Sequence, residues 1–130
     1  MAVELDKRLP DVLEDTLSQF DNVTVVSGDI LKTDIPALVK EYFPDAKRVV
    51  ACANLPYYIT TPLIAKLLDE SELCEGVSVM VQEEVAERFC AKENTPEYGA
   101  ITAGIALKGT AKIVKRVPRT LFYPRPNVDS

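Results

Sequence analysis

The hydrophobic positions of the 130-residue chain alternate between short β-branched runs and longer stretches in which apolar residues recur every three or four positions. The short runs predict a first strand ending at Val3 and further strands over residues 23–26, 49–53, 77–81 and 111–117. The helical spacing predicts helices over residues 6–20, 35–42, 82–91 and 100–107, and another beginning at Thr60. Such alternation is typical of an α/β fold with a mostly parallel sheet.

Some local patterns add expectations about burial and element ends. Residues 77–81 are nearly all apolar, which predicts a strand buried on both faces. Cys52 lies in the apolar run 49–53 and is expected in the core. Thr60 precedes a proline in the first helical turn, so its hydroxyl is expected to cap that helix. Residues 100–107 would also suit a strand. Prolines recur from residue 118 onward and predict an extended, stiff tail.

The composition narrows the possible chemistry. Histidine is absent, which excludes a Ser-His-Asp triad, a Cys-His pair and any His-ligated metal site. The three cysteines are odd in number and widely spaced, so we expect free thiols in a reducing cytosol. The chain starts without a signal-peptide pattern and has no apolar run of membrane-spanning length. We therefore expect a cytoplasmic protein without a membrane partner and without a bound metal.

Charge is distributed unevenly along the chain. Residues 1–107 hold 9 Lys/Arg and 19 Asp/Glu. The following stretch, residues 108–125, contains no acid and six basic residues, Lys108, Lys112, Lys115, Arg116, Arg119 and Arg125. A basic end on an acidic chain is where phosphate contacts are expected, although a solvated basic strand and loop would have the same composition.

Polar residues follow three consecutive predicted strands, where a doubly wound sheet places its ligands. Glu4 is suited to accept hydrogen bonds from the two hydroxyls of a ribose. Asp29 can accept one from an adenine amino group while Ile30 packs on the ring. The competing interpretations are an acid at a helix N-terminus for Glu4 and a turn residue after Gly28 for Asp29.

The third strand runs into Asn54-Leu55-Pro56-Tyr57, which brings together a side-chain amide, a backbone carbonyl and an aromatic face. The Asn54 oxygen and the carbonyl of Leu55 or Pro56 can hold both hydrogens of an adenine amine. This draws the nitrogen toward a tetrahedral shape and aims its lone pair at an incoming methyl group. Tyr57 can stack on the base. The competing interpretation is a proline-bearing turn with a core tyrosine.

Five segments give the chain a family resemblance. Asn54-Leu55-Pro56-Tyr57, followed by Ile59-Thr60-Thr61-Pro62, resembles motif IV of the rRNA adenine dimethyltransferases. The segments at residues 2–6 and 28–31 resemble the cofactor motifs of that family, and residues 81–89 resemble its characteristic helix. Residues 121–130 match its signature Phe-x-Pro-x-Pro-x-Val-x-Ser. The resemblance extends over essentially the whole chain.

The resemblance implies methyl transfer from S-adenosylmethionine to adenine amines of ribosomal RNA. The implied catalytic residues are Asn54, Leu55, Pro56, Tyr57 and Phe122, with Phe122 and Tyr57 clamping a base that has left the helix. The implied cofactor-binding residues are Glu4, Leu5, Asp29, Ile30 and Asn54. The implied RNA-binding residues are Lys112, Lys115, Arg116, Arg119 and Arg125. Tyr58 departs from the family pattern, since many members carry a second asparagine there.

The Val-Asp-Ser ending and the Gln-Glu-Glu-Val helix favour the branch that acts on small-subunit rRNA during ribosome biogenesis. Two alternatives stay open. One is the branch that methylates the large subunit and confers antibiotic resistance, and the other is a non-catalytic RNA-binding or ribosome-assembly module.

By the same resemblance, residues 1–130 are expected to be a truncated catalytic domain, with the signature motif in the proline-rich tail 118–130. The glycine-rich cofactor loop is missing, so the expected fold is a partial Rossmann-like methyltransferase sheet without its first central strand and its last strand. We expect this chain alone to bind S-adenosylmethionine weakly or not at all and to be inactive. Its remaining strands would pair with each other to close the gap, or the chain would self-associate through unpaired strand edges.

Overall fold

The computed structural model describes residues 1–70 and 72–130, which form two compact units, Met1–Lys47 and Arg48–Ser130. The first unit contains β1 (Ala2–Glu4), α1 (Pro10–Leu17), β2 (Val25–Ser27) and α2 (Ile35–Tyr42). The second contains β3 (Val50–Asn54), α3 (Thr60–Asp69), β4 (Gly76–Met80), α4 (Glu83–Phe89) and α5 (Ala100–Lys108). Short 3₁₀ turns lie at Tyr57–Ile59 and Arg119–Leu121. The predicted α/β class is confirmed.

In the first unit, β1 and β2 pair in parallel, with Glu4 beside Ser27 at their carboxyl ends. The predicted helix over 35–42 is confirmed as α2. Its N-terminus is capped by Asp34, whose side chain accepts a hydrogen bond from the amide of Ala37 at 2.9 Å. Ile35 and Val39 of α2 are buried and form the core of this unit.

Helix α1 is shorter than the predicted span 6–20, because the residues before it form a turn. The Asp6 carboxylate accepts a hydrogen bond from the Arg8 amide at 3.0 Å and pairs with its guanidinium at 2.6 Å. That guanidinium holds the pKa of the Asp6 carboxyl below its ordinary value. Pro10 then occupies the first turn of the helix, a position that needs no backbone donor.

In the second unit, β3 and β4 pair in parallel over five residues. Helix α3 connects them, since parallel strands need a crossover connection between them. The core of the unit is formed by Leu55, Leu63, Ile64, Leu67, Val81 and Phe89. Leu55 directly follows β3, and three of the others lie on one face of α3. Val81 directly follows β4, and Phe89 is the last residue of α4.

Residues 100–107, which would also have suited a strand, form helix α5. A buried threonine connects this helix to α4: the Thr102 hydroxyl donates to the Arg88 carbonyl at 2.7 Å and accepts from the Gly99 amide at 3.1 Å. With both functions of the hydroxyl satisfied, Thr102 lies buried without an unmet hydrogen bond.

The predicted fifth strand over 111–117 is wrong. In the part of the chain that the structure describes, this segment belongs to no ladder, and only Val117 makes a reciprocal pair of backbone hydrogen bonds, with Ser130 at 2.6 and 3.0 Å. Residues 111–116 are exposed. β-branched residues favour an extended backbone, but a strand also needs a neighbour to receive its hydrogen bonds.

The burial predicted for β3 and β4 is also wrong. Val50, Cys52 and Asn54 are exposed and lie on one face of the sheet. Val77 of β4 is 43% exposed and belongs to the other face. Cys52 is therefore a surface residue and not a core residue. Apolar composition indicates that a strand can be buried, but covering elements decide whether it is.

The remaining strands do not close a common sheet. Among residues 1–70 and 72–130 the only ladders are β1 with β2 and β3 with β4, so the expectation that the remaining strands would pair across the gap is wrong. No helix in the described part of the chain is long and apolar enough to cross a membrane.

The exposure of Cys52 has a direct chemical consequence. Burial raises the pKa of the Cys74 thiol, with a smaller contribution from the Glu70 charge, and burial raises the pKa of the Cys90 thiol. A raised pKa leaves less thiolate, which is the form that reacts. We expect N-ethylmaleimide at about pH 8 to modify Cys52 before Cys74 and Cys90.

Peptide mass spectrometry over a time course measures the order of modification, and Cys52→Ser is the control that should lose only the fast phase. Modification of Cys90 at the same rate as Cys52 would contradict the exposed face of β3.

Candidate active site

The candidate active site starts where β3 leaves its sheet. Asn54 is the last residue of the strand and is exposed beside Met80 of β4. Leu55 follows and is only 4% exposed, and its amide donates to the Met80 carbonyl at 3.1 Å. The buried Leu55 anchors the chain, so the Asn54 amide is held at the sheet end and remains open to solvent.

The two backbone carbonyls considered as amine acceptors differ in the structure. The Pro56 carbonyl accepts from the Ile59 amide at 3.1 Å and from the Thr60 hydroxyl at 3.3 Å. No hydrogen bond within the described residues reaches the Leu55 carbonyl. Because a carbonyl oxygen has two lone pairs, the Pro56 oxygen is saturated and the Leu55 oxygen is the one left to accept.

The expected role of Thr60 as a hydroxyl cap is wrong. Ile59 occupies the position before α3 without a side-chain cap, and the Thr60 hydroxyl binds backward to Pro56. Thr60 is 2% exposed. It therefore stiffens the turn after Asn54, a contribution that sequence reasoning missed. The signal was present, because a threonine hydroxyl can also reach the carbonyl four residues earlier.

The aromatic residues near this strand end are accessible. Tyr57 is 44% exposed and Tyr58 is 76% exposed. The interpretation of this segment as a turn with a core tyrosine is therefore wrong. Phe122, the other predicted clamp residue, is partly exposed.

Phe122 lies in a closed loop and not in the extended tail that the prolines suggested. Val117 and Ser130 form the neck of this loop through their two backbone hydrogen bonds. We call residues 118–129 the signature loop. Its tip is open to solvent, with Leu121 74% exposed and Tyr123 fully exposed. Proline restricts each residue locally, but contacts between distant residues bend this segment back on itself.

A groove of about 960 Å³ connects the two parts of this site within the second unit. It runs along β4 and residues 109–115. Asn54 lines it, as do Val117 and Ser130 at the neck of the signature loop. The amide proposed to hold an amine and the base of the loop that carries Phe122 thus border one cavity.

The predicted cofactor residues of the first unit come together at the carboxyl ends of β1 and β2. The Gly28 amide donates to the Glu4 carbonyl at 2.8 Å, which places Asp29 beside Glu4. The Glu4 Oε1 atom accepts from the Asp6 amide at 2.7 Å and the Asp29 Oδ1 atom from the Leu31 amide at 3.0 Å. Each carboxylate thus uses one oxygen locally.

The remaining carboxylate oxygens of Glu4 and Asp29 have different surroundings. The Oε2 atom of Glu4 makes no hydrogen bond within the described residues, while the Oδ2 atom of Asp29 lies 3.7 Å from the Lys32 ammonium. Asp29 forms the turn that the competing interpretation described. The turn uses the Oδ1 atom, so the Oδ2 atom remains available to a ligand. Glu4 does not belong to a helix N-terminus, since α1 begins only at Pro10. Leu5 is 57% exposed and Ile30 is partly exposed.

The five predicted RNA-binding residues fall into two groups, those that contact other residues of the chain and those that are free in the part that the structure describes. The guanidinium of Arg116 pairs with Glu83, and with Glu87 at 3.3 Å. Arg119 donates from Nη1 to the Asn127 carbonyl at 2.8 Å. The other three residues, Lys112, Lys115 and Arg125, are exposed and have no ion pair within the described part of the chain. Among the described residues no group of His, Cys, Asp and Glu side chains could hold a metal ion.

Comparison with solved structures defines the class of fold. The chain resembles the crystal structure of a dimethyladenosine transferase from Plasmodium falciparum with a TM-score of 0.81 and 30% sequence identity. The match covers 98% of this chain and 43% of that one. The two parallel sheets and their helices are therefore parts of a Rossmann-like methyltransferase fold.

Comparison of sequences defines the family. The family model of ribosomal RNA adenine dimethylase matches residues 1–130. A ribosomal RNA small subunit methyltransferase A from Bacillus licheniformis is 50% identical over 129 residues, and one from Geobacillus thermodenitrificans is 47% identical over 130 residues. The chain belongs to the ribosomal RNA adenine dimethylase family. It spans 44% of the length of each of these two relatives.

Proposed function

We propose that the protein containing these residues transfers methyl groups from S-adenosylmethionine to adenine amines of small-subunit ribosomal RNA. The observation that carries this proposal is the end of β3, where the Asn54 amide and the Leu55 carbonyl are both left without a partner among the described residues. The names of the relatives, small subunit methyltransferase A and dimethyladenosine transferase, support it.

The chemistry follows from the amine of adenine. Its lone pair is delocalised into the ring, so the nitrogen is a weak nucleophile until its two hydrogens are held out of the ring plane. The Asn54 oxygen and the Leu55 oxygen are the two acceptors for those hydrogens. Such orientation and electrostatic stabilisation lower the barrier by several kcal/mol at most, on the order of what fixed hydrogen-bonding groups supply.

The cofactor supplies a methyl group on a sulfonium sulfur. With the cofactor bound, the amine nitrogen would bond to the methyl carbon as that carbon leaves the sulfur, and the methylated, positively charged amine would release a proton to solvent. No general base is required for this release. The absence of histidine from the chain is therefore compatible with the reaction.

The target base has to leave its stack to reach the acceptors. Tyr57 and Phe122 are the aromatic faces between which we place it, and their partial exposure makes them accessible for stacking. Stacking on an aromatic side chain contributes roughly 1–3 kcal/mol per base, comparable to the cost of extrusion.

The residues of the first unit fit the cofactor. The open oxygen of Glu4 is suited to the ribose hydroxyls, and Asp29 to the adenine amino group. The partly exposed Leu5 and Ile30 offer apolar surface to the ring. Asn54, the last of the proposed cofactor residues, belongs to the second unit.

The RNA-contact set that we propose is smaller than the sequence suggested. Lys112, Lys115 and Arg125 are exposed and available for phosphates, whereas Arg116 and Arg119 are engaged within the chain. A ribosomal substrate implies a cytoplasmic location. The names of the relatives favour the small subunit over the large one. A non-catalytic module would have no use for an open amide that is followed along the chain by accessible aromatic residues.

Replacement of Asn54 tests the proposal. We expect Asn54→Ala to lower kcat for methyl transfer by about 100-fold or more, because one of two fixed hydrogen-bond partners of the reacting nitrogen is lost. The measurement uses a chimera in which these 130 residues replace the matching part of the Bacillus licheniformis relative, with small-subunit particles and labelled S-adenosylmethionine.

Val50→Ala is the matched control, since Val50 is exposed on the same face of the same strand and does not line the groove. Full activity of the Asn54→Ala chimera would refute the role of the amide. Activity on large-subunit particles alone would favour the resistance-type alternative.

A second prediction concerns the cofactor. Glu4→Gln keeps the oxygen that accepts from the Asp6 amide but removes the charge that strengthens hydrogen bonds from ribose hydroxyls. We expect S-adenosylmethionine to bind the chimera about tenfold more weakly, as measured by calorimetric titration. Glu14→Gln on the exposed face of α1 should bind as before. An unchanged affinity of the Glu4 variant would remove Glu4 from the cofactor site.

A third prediction concerns this chain by itself. We propose that it self-associates, because in the described part of the chain β3 and β4 pair only with each other and each leaves one edge of backbone groups unpaired. Light scattering after size exclusion should give a mass that rises above 14.4 kDa with concentration. A well-folded species that remains monomeric at every concentration tested would contradict this proposal.

A further inference from the structure

The signature loop is held by polar contacts at its base, and not by burial of its tip. Leu121 and Tyr123 are largely or fully exposed, so packing does little to fix the residues around Phe122. We propose that Arg119 and Asp129 are positioning residues that fasten this loop and thereby place Phe122. This inference rests on the proposed function, since Phe122 is there assigned to the target base.

Asp129 makes two connections. Its Oδ1 atom accepts from the Arg119 amide at 2.9 Å across the base of the loop. Its own carbonyl accepts from the amide of Glu83, the first residue of α4, at 3.0 Å. Asp129 thus joins the two arms of the loop to each other and also joins the loop to a helix. The neighbouring pair Val117 and Ser130 closes the neck.

Arg119 makes a further connection with its side chain. The Nη1 atom donates to the Asn127 carbonyl at 2.8 Å, eight residues along the chain. A charged donor strengthens a hydrogen bond to a neutral carbonyl, and solvent weakens that hydrogen bond at an exposed site such as this one. Arg119 is thus held by two hydrogen bonds, one from its side chain to the Asn127 carbonyl and one from its amide to the Asp129 carboxylate.

The position of Phe122 depends directly on Arg119. The Arg119 carbonyl accepts from the Phe122 amide at 3.3 Å, and the turn Arg119–Leu121 lies between them. A residue that is held by Asp129 and Asn127 on one side therefore holds the Phe122 backbone on the other. Release of Arg119 would let the aromatic ring sample many orientations, and a misplaced group of this kind costs rate and not only affinity.

Arg116, which lies two residues before the signature loop, also contributes to the attachment of the loop to α4. Its guanidinium pairs with Glu83 and Glu87 of α4, and Glu83 is the residue whose amide also binds the Asp129 carbonyl. The two arginines are thus engaged within the protein. A phosphate contact by Arg119 would require it to give up the Asn127 carbonyl.

Four variants of the chimera separate positioning from RNA contact. Asp129→Ala removes the acceptor for the Arg119 amide, whereas Asp129→Asn keeps an oxygen in its place. We expect Asp129→Ala to lower kcat by about 10- to 100-fold with little change in KM for the particle, and Asp129→Asn to restore most of the rate. Equal kcat values for the alanine variant and the unaltered chimera would overturn the inference.

Arg119→Ala and Arg125→Ala remove the same charge from the same loop. If Arg119 is a positioning residue, its variant loses kcat while the salt dependence of RNA binding stays unchanged. The Arg125 variant should instead raise KM and reduce the slope of log K against log salt by about one, as loss of one phosphate contact does. A reduced slope for Arg119→Ala with unchanged kcat would assign it to RNA and overturn the inference.

Hydrogen exchange tests the fastening without any activity. In this chain the amides of Val117, Arg119 and Ser130 should be protected, and Asp129→Ala should accelerate exchange at Arg119 while leaving Thr60 in the turn after Asn54 unchanged. Unprotected amides in the unaltered chain would overturn the fastening itself. An unaltered chimera without methyl transfer would overturn the proposed function and the positioning role with it, whereas an active chimera with an unaffected Asp129→Ala variant overturns this inference alone.

Discussion

The parallel pairing of β3 with β4 is the constraint on which the candidate active site depends. The last pair of this ladder sets Asn54 beside Met80, and the next hydrogen bond, from Leu55 to Met80, fixes the point at which the chain leaves the sheet. Because Leu55 is buried, the segment is anchored there, and the Asn54 side chain lies at the surface. A shift of one residue in this register would exchange the faces of the strand and turn Asn54 away from its present side.

The site combines two ways of holding groups in place. Around Asn54, Leu55 is an apolar anchor and the Pro56 carbonyl is saturated, and the Leu55 oxygen and the Asn54 side-chain amide have no partner among the described residues. Around Phe122, charged and polar contacts hold an exposed loop. The first arrangement is little weakened by solvent, because the apolar contacts of the buried Leu55 exclude water. The second is weakened by solvent screening, so it relies on several contacts that reinforce each other on Arg119 and Asp129.

Sequence reasoning predicted most of the fold correctly. In the described residues the four strands and five helices lie where periodicity placed them. The largest difference is at α1, which begins only at Pro10 because Asp6 and Arg8 form a turn before it. The errors share one cause. Residues 111–117 have the composition of a strand, but no neighbouring strand in the described residues pairs with them. Cys52 lies in an apolar run typical of a core, but no element in the described part of the chain covers its side chain. In both cases the outcome depends on a partner elsewhere in the chain, which local composition does not report.

The sequence by itself determined the kinds of elements and the chemical groups at their ends, because helical and strand periodicity and the preferences of proline and threonine act over a few residues. It also determined the family, through motifs that extend over residues 1–130. Only the tertiary structure decided which of those groups remain free. Arg119 is occupied by Asn127 and Asp129, Arg116 by Glu83 and Glu87, and the Leu55 carbonyl is left without a partner among the described residues. Hydrogen-bond capacity is finite, and which acceptors are already filled is known only once the chain has brought distant donors to them.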